Sequence, residues 1–292
     1  MYLRTHGEIV CDLQDSLPEL KDLVAASIGQ PIRRISRFMQ LALIGAGRCG
    51  RNVSVPNNTA VYLASSRGDL EITIDVVGHV FCDGQAPKPL SFVNTVSNSA
   101  AFYVAKCLRL ESRSAFVCSR YFAFEDALQL ALTDFNLGAV NSALVGTVDN
   151  AVLPLAAHRH RLEIDAIEPM AEASHWLWLT RDPAEQSSLS IVDVHSACDR
   201  ADLFRWMEAQ NLDASSLAIS AGQYLSPEDF AAVQAQTAAK NVFDYRTGRG
   251  YYASQSAAAV TAFASTPDNA VRTLLHINGD PLGRYAAMLL RK

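Results

Sequence analysis

The alternation of apolar and polar positions along the chain predicts strands and helices in turn. Short apolar runs typical of buried strands are "NTAVYLASS", "SAFVCS", "SALVGTV" and "SSLAISAG". Apolar residues recur at helical spacing in "RISRFMQLALIGAG", "FAFEDALQLALTDFNLG" and "SPEDFAAVQAQTAA". Gly138 is typical of a helix C-terminus, and Ser226 followed by Pro227 is typical of a helix start. Strands that alternate with helices indicate an α/β fold.

Two segments of the chain repeat one order of predicted elements. Residues Ser114–Thr180 follow the order strand, turn, helix, strand, connection, strand, and residues Asn241–Arg291 follow the same order. The helix of the second segment, "ASQSAAAVTAFAS", consists almost wholly of small residues. Such a helix can approach its neighbours closely on all sides, so it suits a buried layer between two sheets. The pattern therefore predicts two related halves.

Composition narrows the class of protein. The chain has 292 residues, of which 49% are hydrophobic and 19% charged, as in a well-packed globular protein. A net charge of −5 argues against a nucleic-acid surface, and no apolar run reaches the length of roughly 20 residues that a membrane span needs. The six cysteines are scattered without a CxxC pair, and no signal peptide is visible. We expect a cytoplasmic protein with no cofactor and no metal.

Three short motifs resemble functional sites, but we favour a structural interpretation of each. "GAGRCG" (Gly45–Gly50) matches a dinucleotide fingerprint, but a helix ends at these glycines and none begins there. "HRHR" (His158–Arg161) is a poor metal set, so we interpret it as a solvated basic loop, with an acidic carrier protein as the alternative contact. His195 and Cys198 could form a nucleophilic pair, but we favour a structural role.

The stretch "SAFVCSRYFAFEDALQLAL", followed by "SALVGTVD", resembles the β-ketoacyl synthase family of the thiolase fold. Further similar stretches occur in the family's order, namely "RRISRFMQLAL", "PLSFVNTVSNSAAFYVAKCL", "EASHWLWLTRD" and "HINGDPLGRYAAMLLRK". The chain is shorter than standard members, and in this it is similar to ketosynthase-like partners in aryl-polyene pigment pathways. The resemblance implies a five-layer α-β-α-β-α fold in one domain, residues 1–292, with related halves of about 1–165 and 166–292.

The resemblance also implies a chemistry, in which a cysteine thiolate takes the acyl chain and two histidines assist decarboxylation of a malonyl carrier protein. Matching the family's motifs places the nucleophile position at Tyr121 and the two histidine positions at Ala221 and Arg249. A tyrosine with a pKa of about 10 is a poor acyl acceptor at neutral pH. Alanine has no donor, and arginine does not exchange its proton. The resemblance therefore implies a chain-length-factor type of subunit that does not condense by itself.

Cys118 is the alternative nucleophile, three residues before Tyr121. Glu125 and Asp126 fall in the first turn of the following helix, where they suit the helix dipole but oppose a thiolate that needs the same field. Cys118 can equally be a small buried hydrophobic residue. The alternative function is thus a divergent condensing enzyme or acyltransferase that uses Cys118.

The resemblance implies a dimer across the strand "SAFVCS" (Ser114–Ser119). A short, apolar and uncharged strand left unpaired at a sheet edge invites aggregation, so we expect a partner to cover it. A catalytic ketosynthase is the expected partner, a homodimer is the alternative, and an acyl carrier protein is a further partner. The interface would include the segment Pro89–Leu108, and its candidate contacts are Phe92, Phe102, Phe116 and Val117.

Overall fold

The structure is a computed structural model that describes residues 1–13, 17–96, 98–183, 189–267 and 271–292. Its strands are β1 (Tyr2–Asp12), β2 (Ala60–Ser65), β3 (Ser114–Cys118), β4 (Ser142–Asp149), β5 (Ala171–Thr180), β6 (Ser190–Cys198), β7 (Leu217–Ala221), β8 (Asn241–Val242), β9 (Thr273–Gly279) and β10 (Tyr285–Arg291). Its helices are α1 (Lys21–Ile28), α2 (Arg37–Cys49), α3 (Leu70–Phe81), α4 (Pro89–Asn94), α5 (Asn98–Leu108), α6 (Ala123–Asn136), α7 (Leu155–Leu162), α8 (Arg200–Ala209), α9 (Pro227–Thr237) and α10 (Ser256–Ser265). Ser97, inside the expected interface segment, lies outside the described residues.

The strands form one hydrogen-bonded series in the order β3-β2-β4-β5-β1-β6-β10-β9-β7-β8. In the first half, β2 is parallel to β3 and β4, whereas β5 is antiparallel to β4 and β1. In the second half, β7 is parallel to β8 and β9, whereas β10 is antiparallel to β9 and β6. The halves share one topology and meet where Tyr2 pairs with Ser190, so the prediction of two related halves is confirmed. The strand repeat divides between Thr180 and Ser190.

Helices α6 and α10 form the central layer, between the two halves of the sheet. Ala127 and Leu128 of α6 and Ala257 and Val260 of α10 belong to one buried cluster with strands from both halves. The small side chains of α10 allow this approach, as its sequence indicated. On the outer faces, α1, α2 and α5 cover the first half, while α8 and α9 cover the second. The predicted five-layer α-β-α-β-α fold is confirmed.

The glycine motif of α2 has a packing role that the prediction only partly captured. The helix ends at Cys49, with Gly50 after it, but Gly45 and Gly47 lie inside the helix. A Cβ on Gly45 would lie 2.5 Å from Oγ of Ser174, and one on Gly47 would lie 2.5 Å from the carbonyl oxygen of Ser27. These two glycines therefore let α2 approach β5 and α1 closely, and only the last glycine of the motif follows the helix end.

The expectation of a solvated loop at "HRHR" is wrong, because these four residues lie within α7 and form about one turn before its last residue, Leu162. His158 is buried. Arg159 donates to the carbonyl oxygens of Asp165 and Glu168, and Arg161 donates to that of Val152 at 3.0 Å. Arg159 therefore bonds carbonyl groups that follow α7, and Arg161 bonds one that precedes it.

Among the described residues, no helix combines the length and the apolar character that a membrane span requires.

Candidate functional site

The predicted strand-turn-helix is present, and it places Tyr121 two residues before the first residue of α6. The Tyr121 ring packs edge-to-face on Tyr224, with 5.0 Å between ring centroids, and the Arg120 guanidinium lies 5.3 Å from the Tyr121 ring centroid. The carbonyl oxygen of Tyr121 accepts a hydrogen bond of 3.1 Å from Nδ2 of Asn278. The turn thus holds an aromatic side chain between a cation and another ring.

Cys118 is the last residue of β3 and lies outside the helix N-terminus. Its thiol donates to the carbonyl oxygen of Ser66 at a distance of 3.7 Å. Desolvation of the sulfur and the nearby carboxylate of Asp149 raise the pKa of the Cys118 thiol above its usual value. Since the thiolate is the nucleophilic form, this environment disfavours attack on an acyl group at neutral pH.

Ala221 ends β7, and its surroundings bring it close to the Tyr121 turn. The Tyr245 hydroxyl donates to the carbonyl oxygen of Ala221 at 3.4 Å. A Cβ added to the next residue, Gly222, would lie 2.2 Å from Oδ1 of Asn278. The Asn278 side chain therefore packs on Gly222, next to the position expected for the first histidine, and it also hydrogen-bonds the Tyr121 carbonyl oxygen.

Arg249, at the position expected for the second histidine, lies near a carboxylate of β1. Its Nη1 lies 3.8 Å from Oε1 of Glu8 on β1. Arg249 also lines an open groove of about 270 Å³, together with Gln223 and Arg246. The structure thus brings Tyr121 and Ala221 together through Asn278 and places the Arg249 charge beside Glu8.

A buried polar group fills the space between the N-termini of α6 and α10, and we call it the Glu125 cluster (Glu125, Ser256, His276 and Asn278). Nδ2 of Asn278 donates to Oε1 of Glu125 at 3.1 Å and to Oγ of Ser256 at 3.2 Å. Burial raises the pKa of the Glu125 carboxyl to about 7. Sequence reasoning missed this cluster, although a glutamate inside the apolar stretch "FAFEDALQLAL" was a signal for it.

His276 is the imidazole of the Glu125 cluster. Its Nδ1 lies 3.0 Å from Oγ of Ser220, and its Nε2 lies 4.0 Å from Oε1 of Glu125. Burial lowers the pKa of His276 to about 3, so the ring is neutral at physiological pH. The cluster therefore combines a neutral imidazole with a carboxyl of raised pKa, and neither group supplies the thiolate that acyl transfer needs.

The predicted structural role of His195 and Cys198 agrees with their contacts. Nε2 of His195 lies 2.9 Å from Oδ2 of Asp202. The Cys198 thiol donates to the carbonyl oxygen of Tyr285 at 3.4 Å, and burial raises the pKa of this thiol to about 11. His195 thus pairs with a carboxylate, and Cys198 is protonated at neutral pH.

The four candidate interface residues have two different environments. Phe92 and Phe102 are 61% and 58% exposed. Phe116 packs partly on the core beneath α2, where its ring centroid lies 6.5 Å from that of Phe38, and Val117 packs partly on the central core. Strand β3 itself lies at one end of the sheet, with one side unpaired among the described strands.

Exposed apolar side chains concentrate in the segment of the chain that precedes β3. Nine of the sixteen large hydrophobic residues that are exposed in the described part of the chain fall between residues 74 and 102. We call this surface the α3–α5 face (Ile74, Val77, Val80, Phe81, Leu90, Phe92, Val93, Val96 and Phe102). Helix α5, which carries Phe102, packs on β3, and α3 packs on α4. An exposed apolar surface of this kind is typical of a protein–protein interface.

Comparison with known proteins identifies the fold. No family model and no curated protein matches the chain. The solved structure of the ishigamide ketosynthase/chain length factor matches with 19% identity and a TM-score of 0.70, over 92% of this chain and 84% of that chain. The type II polyketide synthase complex AntDE:AntF matches with 13% identity and a TM-score of 0.71, over 99% and 98% of the two chains.

A third solved structure, the ketosynthase ApeO in complex with its chain length factor ApeC from Xenorhabdus doucetiae, matches with 13% identity and a TM-score of 0.54, over 100% of both chains. At these identities the similarity establishes the fold. The chain has the thiolase-like fold of ketosynthase and chain-length-factor structures, as its sequence indicated.

Proposed function

We propose that the chain is a non-catalytic ketosynthase-like subunit of the chain-length-factor type, which pairs with an active β-ketoacyl synthase in polyketide or aryl-polyene biosynthesis. The observation that carries the proposal is the Asn278 side chain. It hydrogen-bonds the Tyr121 carbonyl and packs on Gly222, so it occupies the point where the nucleophile and first histidine positions meet. In this proposal, the chain keeps the fold at this point and lacks the residue types that the chemistry needs.

Chemistry supports a non-catalytic role at all three positions. Condensation needs a thiolate, and Tyr121 offers a phenol held between Arg120 and Tyr224. Ala221 has no polar side-chain atom, and Arg249 is paired with Glu8. Cys118 is a thiol with a raised pKa at the end of β3, which argues against the alternative of an acyltransferase that uses it.

The surface beside β3 supports a partner of the same fold. The β3 edge leaves backbone donors and acceptors unpaired, and the α3–α5 face adds an apolar surface that an incoming chain would bury. A homodimer would cover both but would combine two inert centres. A heterodimer with a catalytic ketosynthase, the pairing named in two of the similar structures, would place one active centre beside this chain. An acyl carrier protein would deliver substrate to that complex.

The six free cysteines are consistent with a reducing compartment, so the proposal locates the complex in the cytoplasm.

The test is an assay of malonyl-carrier-protein decarboxylation and condensation. We expect no turnover by the purified chain alone, and we expect it to change the product chain length when the partner ketosynthase is added. Treatment with an acyl thioester, followed by mapping of any acylated residue, tests the alternative enzyme directly. Turnover by the isolated chain that disappears in Cys118→Ala would establish the acyltransferase alternative and overturn the proposal. Cys82→Ala is the matched control, since Cys82 is an exposed thiol outside the strand-turn-helix that carries Cys118.

A further inference from the structure

Three metal-ligating side chains converge where β6 ends and α8 begins. His195, Cys198 and Asp202 are spaced as His-x-x-Cys-x-x-x-Asp, and their ligand atoms all lie within 4.8 Å of one another. We propose that these three residues form a binding site for Zn²⁺, on the outer side of the second half and independent of the function proposed above.

The geometry is close to what a tetrahedral ion requires. Bond lengths of about 2.0 Å to nitrogen and oxygen and 2.3 Å to sulfur place tetrahedral ligands about 3.3 to 3.6 Å apart. Nε2 of His195 and Oδ2 of Asp202 lie 2.9 Å apart, so binding of an ion would increase this distance by about 0.4 Å. Because the Cys198 sulfur lies within 4.8 Å of both atoms, coordination requires side-chain adjustments of about 1 Å.

The donor set and its surroundings favour this ion. Imidazole, thiolate and carboxylate are the three ligand types that Zn²⁺ accepts in proteins, and three protein ligands leave one position for water. Nη2 of Arg205 donates to Oδ1 of Asp202 at 3.0 Å, which leaves Oδ2 directed at His195. The His195 ring stacks on Trp206 at an interplanar angle of 5°, and such contacts orient a ligand.

An ion can reach the site from solvent. The side chains of His195 and Asp202 are 26% and 40% exposed, whereas Cys198 lies behind them, with its thiol against the carbonyl of Tyr285 on β10. Binding replaces the thiol proton, so that one Zn–S bond forms, one S–H bond breaks and the proton passes to solvent. The bound ion would fasten the end of β6 to the first turn of α8. The expectation of no metal rested on the absence of a CxxC pair, and it overlooked this mixed spacing.

The experiment uses the full chain, dialysed against a chelator and titrated with Co²⁺, which reports a thiolate ligand through its absorption. We expect one equivalent of Co²⁺ to produce the visible bands of a tetrahedral site and a near-ultraviolet sulfur-to-cobalt charge-transfer band, and Zn²⁺ to abolish both. Cys198→Ser should remove the charge-transfer band. His195→Gln and Asp202→Asn should each weaken Zn²⁺ binding at least about 10-fold.

Cys82→Ser is the matched control and should retain the full spectrum, because Cys82 is exposed and outside the three residues. Zn²⁺ should also raise the Tm of the wild-type chain and of Cys82→Ser, but not that of His195→Gln. If the buried Cys198→Ser variant fails to fold, the two half-exposed positions decide the question. A missing charge-transfer band in the wild type, or Zn²⁺ affinity unchanged in both His195→Gln and Asp202→Asn, overturns the proposal.

Discussion

The two halves of the sheet share one strand order but end in different edges. The first half ends in β3, whose five residues, Ser114–Cys118, pair with β2 on one side only. The second half ends in β8, which has only the two residues Asn241 and Val242. A short edge strand is one way to prevent unwanted pairing. The β8 edge therefore offers fewer backbone groups to a partner strand than the β3 edge does.

The two halves also differ in how many large apolar side chains they expose. The first half carries the α3–α5 face, with Phe81 exposed to 81% and Phe92 to 61%. Beside β8, Val242 is the one large hydrophobic residue of the strand and is 55% exposed. Among the described residues, the longer edge strand and most of the exposed large apolar side chains both belong to the first half, which is where we propose that a partner binds.

The two central helices differ in charge at their N-termini. Helix α6 carries Glu125 and Asp126 in its first turn, whereas the first turn of α10 has no acidic residue. The side chain of Asn278, on β9, contacts the N-terminal ends of both helices, since it donates to Glu125 of α6 and to Ser256 of α10. A helix N-terminus that could lower the pKa of a thiol is here used to hold a buried carboxyl and an amide.

The largest expected effect is a loss of affinity for the partner when apolar residues of the first half, but not of the second, are replaced by aspartate. The double substitution Phe92→Asp and Phe102→Asp should abolish the complex with the partner ketosynthase, with a loss of affinity of at least about 100-fold, because charge would replace two apolar anchors. Leu282→Asp is the matched control, since Leu282 is 76% exposed in the turn between β9 and β10 of the second half. Affinities are measured by sedimentation or calorimetry. Equal losses in both variants would contradict an interface specific to the first half.

Phe116 and Val117 are less suitable for this test than their position on β3 first indicates. Both side chains pack partly on cores of their own chain, so a charge at either would change the free energy of unfolding together with assembly. We expect Val117→Asp to lower the Tm of the isolated chain, which Phe92→Asp should leave nearly unchanged. A Tm that falls equally in both variants would show that α4 depends on Phe92 for stability.

The next effect concerns Glu125, whose pKa is raised to about 7 from an ordinary value of 4.5. The folded chain holds this proton more tightly than the unfolded chain, so stability from the neutral carboxyl is lost as pH rises from 4.5 through about 7. Relative to Glu125→Gln, which does not titrate, the wild type should lose on the order of 3 kcal/mol of unfolding free energy between pH 4.5 and pH 8. Urea denaturation at both pH values measures this difference. A difference independent of pH would contradict a neutral Glu125.

Glu8 provides the opposite case on the other side of the central layer. Its Oε2 lies 3.1 Å from Nδ1 of His175 and accepts a 2.9 Å hydrogen bond from Thr261, and these contacts lower the pKa of Glu8 to about 2. Stability from this carboxylate is present above pH 4.5 and is lost as pH falls through about 2. Glu8→Gln should therefore destabilise the chain at pH 7 by about 1 to 2 kcal/mol, reduced because the side chain is partly solvated. The variant and the wild type should converge as the pH approaches 2.

Local patterns were sufficient to predict most of the elements and their order. The helices α6, α9 and α10 and the strands β2, β3 and β4 follow from apolar periodicity and end signals, and the duplication follows from their order. Strand β1 was missed because its central-layer face carries the polar residues His6 and Glu8, which hide the apolar alternation. Helix α7 was missed because its basic residues look solvated, although they bond to backbone carbonyls.

For the candidate site, the sequence predicted only which residue types stand at the expected catalytic positions. The turn, Tyr121 and the Ala221-Gly222 position follow from sequence order, but the role of Asn278 does not. Its partner Glu125 is 153 residues away in the chain, and the contact exists only because the two halves fold face to face. A resemblance can show which catalytic residue is absent, while the side chains that occupy the space follow from packing between the halves.

The smallest expected effect compares two tyrosines that meet at the turn. No described residue hydrogen-bonds the Tyr121 hydroxyl, whereas the Tyr224 hydroxyl lies 2.8 Å from that of Tyr251 and donates to the carbonyl of Leu162. Tyr121→Phe should therefore change the free energy of unfolding by less than about 0.5 kcal/mol, while Tyr224→Phe should reduce it by about 1 kcal/mol.

The Tyr121→Phe variant also tests whether the phenol at the turn takes part in the reaction of the assembled complex. If the Tyr121 phenol has no chemical role, the assembled complex keeps its condensation rate in Tyr121→Phe, measured as release of CO₂ from malonyl carrier protein. A loss of rate of 10-fold or more, with stability and assembly intact, would show that the phenol takes part in the reaction.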